Sequence, residues 1–242
     1  MSGMSRAIRP LLIIGAVLLA GPALAQDMTI DLGDGDTLTA RALQIIALIT
    51  VLSLAPGLAV MITCFPFVVT VLSILRQAIG LQQSPPNMLI VSLALFLTYF
   101  VMAPTFEAAY EAGISPAMTG EMELMEGLRA AYEPFQGFMM RRVDPETLQS
   151  MVSLREIPQG EDPGASVLIP SFMLSEVERA FQIGFLVFLP FLIIDLVVAA
   201  ILMSMGMMMV PPAIVSLPFK LAFFVVADGW TLVTGALVRS YF

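Results

Sequence analysis

Residues 181–203 read FQIGFLVFLPFLIIDLVVAAILM, a run of 23 positions with one ionisable side chain, Asp195. Roughly 20 apolar residues in helical form cross the hydrocarbon core of a bilayer. A strand would need less than half this length, so the run is read as a helix. Pro190 removes a backbone donor in its middle, which predicts a hinge there. Directly downstream, Met203-Ser204-Met205-Gly206-Met207-Met208-Met209-Val210-Pro211-Pro212 places five methionines within seven residues, ahead of a Pro-Pro break. Methionine is unbranched and polarizable, so such a cluster forms a soft apolar surface that reshapes around its contacts. It serves either as core filler or as a deformable constriction between two apolar helices.

Composition extends the reading to the whole chain. Of 242 residues, 58% are hydrophobic and 12% charged, and the mean hydropathy is +0.92. That charged share is about half of what soluble domains carry, which points to a membrane protein or a buried member of an apolar assembly. A net charge of −8 excludes a nucleic-acid partner. One cysteine, Cys64, allows no intrachain disulfide, and no Cys/His cluster could hold a metal. Histidine is absent, which removes the commonest general base. With no nucleophile motif either, no catalytic residues and no cofactor are expected, and the chain is not read as an enzyme.

The N-terminus has the layout of a cleavable signal over residues 1–25. Arg6 and Arg9 form the basic region, residues 11–20 the apolar region, and Ala23-Leu24-Ala25 the cleavage site. An uncleaved anchor is the alternative. Residues 26–40 are acidic and Gly-rich, a flexible lead-in.

Residues 41–104 form a first apolar helical hairpin. Its first arm, near 42–75, is interrupted by Pro56-Gly57 and by Pro66, both taken as helix breaks. A basic turn over 76–87 follows, then an apolar helix over 88–103 closed at Pro104. Residues 105–165 carry eleven acidic and four basic side chains, with helices expected near 121–132 and 145–154. They form a small α-helical extracytoplasmic insertion. Residues 166–242 form a second hairpin: the 181–203 helix, the methionine loop with Pro211 and Pro212 as hinges, and a helix over 211–237. Ser171 and Ser175-Glu176 read as a capped helix start. The positive-inside rule places 76–87 in the cytoplasm and the acidic insertion outside, as does a cleaved signal. The fold class is therefore all-α, with long kinked apolar helices paired as hairpins.

Three charges fall at membrane depth: Asp195, Lys220 (the only lysine) and Asp228. An ionisable group there marks either a proton or ion relay or a buried pair that fixes packing or subunit contacts. Lys220 is a candidate partner of Asp195. Gly184 could permit close helix approach and Gln182 could bond across an interface. On residues alone, a small-solute or proton-coupled transporter using Asp195 stays open beside a pore subunit.

Several blocks in order carry a resemblance: LSILRQAIG over 72–80, QQSPPN over 82–87, ALFLTYFVMAP over 94–104, AFQIGF over 180–185, FLPFLIIDLVVA over 188–199, the methionine run, SLPFKL over 216–221 and DGW over 228–230. Together they resemble the FliP family of flagellar type III export-gate proteins, which has a virulence counterpart in the injectisome. The resemblance implies a pore-forming, non-enzymatic subunit of the inner membrane and flagellar basal body that conducts unfolded proteins. It implies several copies assembled with FliQ and FliR, beside FlhA, FlhB and the basal-body ring. It implies that Met207, Met208 and Met209 line the closed pore as a gasket. There is one departure: Cys64-Phe65-Pro66-Phe67 stands where the family has a Ser-Phe-Thr-Arg-like run.

Overall fold

A computed structural model describes residues 35–80, 85–155, 163–207 and 209–242. The expected signal, most of the lead-in and Met208 lie outside the described residues. Two compact units divide the chain, Met1–Ser53 and Leu54–Phe242. Every regular element among the described residues is helical. In chain order they are α1 (Gly35–Met61), α2 (Phe65–Ile79), α3 (Asn87–Ala109), a π-helical turn (Tyr110–Ile114), α4 (Ser115–Thr119), α5 (Leu124–Arg142), α6 (Pro145–Leu154), α7 (Ala165–Ser204), α8 (Pro212–Val226) and α9 (Gly229–Arg239).

In the first unit, residues 35–40 are already helical rather than part of a loose lead-in. Leu43, Ile45, Ile46 and Ile49 are all largely exposed. The second unit is organised around α2. Its residues Phe67, Val68, Val71, Leu72, Leu75, Ala78 and Ile79 are buried, a stripe wide enough to meet partners on two sides. α2 packs most extensively on α7, and also on α3 and α8. Gly184 of α7 makes that approach possible, because a Cβ there would lie 2.3 Å from Ile74 Cδ1 and 3.3 Å from its Cβ.

Apart from the break at Pro211-Pro212, the helix breaks fall elsewhere than the prolines indicated. α1 continues through Pro56 and Gly57 and stops at Ile62-Thr63-Cys64. There the Thr63 hydroxyl donates to the Val60 carbonyl at 2.9 Å and accepts the Phe65 amide at 3.4 Å, a local side-chain turn that competes with the helix ladder. Pro66 then occupies the first turn of α2, where its missing N–H has no helical role to lose. α3 likewise passes Pro104 and ends at Ala109, and α7 passes Pro190 without interruption. Apolar helices tolerate proline where neighbouring helices or local adjustment satisfy the carbonyl it frees.

α7 is longer than expected. It starts at Ala165, so Ser171, Ser175 and Glu176 lie inside it rather than at a capped start, and Ser171 and Ser175 donate back to the Val167 and Ser171 carbonyls. Forty residues make a rod of about 60 Å, twice the ~30 Å hydrocarbon core. Its first half buries a broad stripe against α2, α5 and α6, while Ile193, Leu196, Val197 and Ile201 of the second half are largely exposed. Within the acidic insertion, α5 runs to Arg142, well past the expected end near 132, whereas α6 has the expected bounds. The π-helical turn fits tightly against α5: a Cβ on Gly113 would lie 2.0 Å from the Gly127 carbonyl oxygen.

The final apolar segment is two helices, α8 and α9, bent by 61° at Ala227-Asp228. Asp228 takes the left-handed conformation at φ 47°, which Asp tolerates better than most residues. Among the described residues, two helices are long and apolar enough to cross a membrane, or three if the bent pair counts as one span.

Candidate functional site

The methionine loop joins α7 to α8. Met205 caps α7, Gly206 turns left-handed, Pro211 caps α8 and Pro212 opens its first turn. The two prolines thus begin a helix, with dihedrals already suited to it. Met203 and Met205 are 61% and 67% exposed, Met207 41% and Met209 98%. Below the loop, Ile194, Val198 and Leu202 of α7 face Val215 and Phe219 of α8 across an apolar cleft of about 490 Å³. No polar group of the described residues converges on this cleft, so it offers contact and exclusion of water rather than chemistry.

Ten residues back from the loop, Asp195 and Lys220 pair. Lys220 Nζ donates to Asp195 Oδ2 at 2.6 Å and to the Ala78 carbonyl at 3.1 Å, and Ser216 Oγ donates to Asp195 Oδ1 at 2.5 Å. Ala78 lies in the last turn of α2, so the ammonium also meets the negative end of that helix. One cation therefore fastens α2, α7 and α8 together. Asp228 does not join them: it is exposed, and its carboxylate accepts only from Thr231 Oγ1 at 3.1 Å. Within the single chain Asp228 is therefore not part of a buried pair; it sits exposed at the bend between α8 and α9. Gln182 Nε2 donates to Glu178 Oε1 on its own helix at 3.2 Å.

A second charged cluster was not anticipated from the sequence. Glu176 is fully buried, and its Oε1 accepts from Arg142 Nε at 3.1 Å and Arg179 Nη1 at 3.2 Å, while Oε2 accepts from the Tyr241 hydroxyl. Arg142 also donates to the Ser240 carbonyl at 2.8 Å and lies 4.0 Å from the centre of the Tyr241 ring. Burial and the adjacent Glu176 carboxylate push the Tyr241 hydroxyl far above its usual range, so it stays a donor. At the departure noted above, Phe67 is fully buried and meets Tyr241 edge-on at 5.5 Å. The signal was available: Leu168, Phe172, Glu176 and Ala180 recur every fourth residue, which puts the carboxylate on the buried face. Beside this cluster, Asp144 caps α6 by accepting from the Thr147 amide at 2.9 Å and hydroxyl at 3.0 Å, which holds its carboxyl below the ordinary range.

A family model described as "FliP family" matches residues 48–237. The chain belongs to the FliP family. It is 53% identical over 238 residues to the flagellar biosynthetic protein FliP of Caulobacter vibrioides, covering 97% of this chain and 90% of that relative. The protein of the same name from Rhizobium meliloti is 44% identical, covering 95% and 97% of the two chains. That of Bacillus subtilis is 43% identical over 201 residues, covering 82% and 91%. The FliP match includes the Asp195–Lys220 pair, Glu176 and the methionine loop.

Proposed function

We propose that this FliP-family chain is a pore-forming core subunit of the flagellar type III export gate, conducting unfolded flagellar proteins across the inner membrane. One observation carries the reading: a methionine loop with an almost fully exposed Met209 joins the longest apolar helix to a bent apolar pair. Methionine side chains fill irregular gaps at low cost, so a ring of such loops closes around nothing and yields to a passing chain. Met207, Met208 and Met209 are the gasket. The largely exposed apolar faces of α3 and α7 call for cover by lipid or other chains, which supports assembly of several copies with FliQ and FliR, next to FlhA, FlhB and the basal-body ring. In this reading residues 1–25 are removed, and the mature N-terminus and residues 105–165 are periplasmic.

Asp195 is the packing charge of this assembly. A relay needs a carboxylate free to change partners, whereas both Asp195 oxygens are occupied by Lys220 and Ser216. Replacing Asp195→Asn should reduce assembled complex, measured by blue-native electrophoresis. Normal assembly with export uncoupled from the proton gradient would favour the transporter reading. Deleting residues 207–209 tests the gasket itself: complexes should assemble and leak ions.

A further inference from the structure

The end of α7 is closed by a specific backbone turn. The Gly206 N–H donates to the Met203 carbonyl and the Met207 N–H to the Leu202 carbonyl, both at 3.0 Å. Two such bonds around one left-handed residue make a Schellman motif, in which the residue after the left-handed one folds back on the helix. Met207 does so: it lines the apolar cleft together with Leu202, Val198 and Phe219. Met209, two residues on, is 98% exposed against 41% for Met207. Gly206 sits at φ +74°, yet a Cβ there would meet no atom within 4 Å. Backbone conformation, not space, therefore calls for glycine at this position.

We propose that Gly206 is the positioning residue of the gasket: its left-handed backbone docks Met207 against α7 and α8 and aims Met209 outward. The role rests on the pore reading above and divides labour within the loop, with Met207 as anchor and Met209 as seal. Steric room at Gly206 makes the backbone testable alone. Alanine resists the left-handed region, whereas asparagine enters it readily.

The test compares Gly206→Ala, Gly206→Asn and Met209→Ala in the full chain, in the native host, by ion leak and by the amount of assembled complex. Gly206→Ala and Met209→Ala should each raise leak several-fold at unchanged assembly, while Gly206→Asn stays as tight as the parent. An Asn variant as leaky as the Ala variant, or an Ala variant as tight as the parent, would overturn the role. So would loss of assembly in Gly206→Ala, because glycine would then serve folding rather than aim. Deletion of residues 207–209 separates the two levels. If that deletion stays tight, the pore reading fails; if it leaks while Gly206→Ala does not, only the positioning role fails.

Discussion

Glu176 is a fully buried carboxylate at the centre of the second unit's charged cluster. A buried carboxylate costs several kcal/mol to desolvate, and here two guanidinium groups and a phenol offset that cost. Removing it leaves Arg142, 15% exposed at its side chain, without its counter-charge. Glu176→Ala should destabilise the protein by about 3 kcal/mol, seen as a lowered thermal midpoint of the detergent-solubilised chain; an unchanged midpoint would show that water replaces the network. Asp144 gives a pH signature of opposite accessibility. Its folded carboxyl titrates below the ordinary 3.8, so the cap's contribution is present above that value and is lost as pH falls through the folded one. Asp144→Asn should remove this acid-side loss while preserving the cap, and Asp144→Ala should lower stability already at neutral pH. Of the residues singled out in the sequence, Asp195 and Lys220 stood out as lone charges in apolar runs, which made Lys220 a candidate partner, but only the structure pairs them. Glu176 did not stand out, because two serines and an acid resemble a helix cap unless the fourfold apolar spacing is followed through them.

At the scale of elements, proline position misled and apolar periodicity did not. Pro104 and Pro190 stay within helices, Pro66 and Pro212 begin them, and the break after α1 is made by Thr63. Away from water a freed carbonyl is costly, so a proline stays inside an apolar helix where neighbouring helices or local adjustments satisfy that group, which sequence position alone does not reveal. α7 starts six residues before Ser171, the first residue read as its cap, because its first turns are polar enough to resemble the insertion they pack on. Gly184 was read as a site of close helix approach with no partner named; the structure supplies Ile74 of α2, a contact specific enough to test. Gly184→Leu should drive α2 off α7 and lower the yield of folded protein several-fold, and Ile74→Ala in the same chain should recover part of it, since Ile74 is the atom group in the way. Failure of the second change to help would mean the damage lies elsewhere on α7.

Within the second unit, charge and apolarity are segregated apart from the Asp195–Lys220 pair. A charged cluster holds α5 to the first half of α7, while the second half of α7 with α8 and α9 exposes apolar surface ending in the methionine loop. The family is shown by the family-model match over residues 48–237 and by relatives up to 53% identical. The loop's role as a seal is the step that most needs measurement. Ion conductance of cells or vesicles carrying the assembled complex should rise sharply when residues 207–209 are deleted, with assembly unchanged. A membrane as tight as the parent's, with the complex fully assembled, would contradict the account.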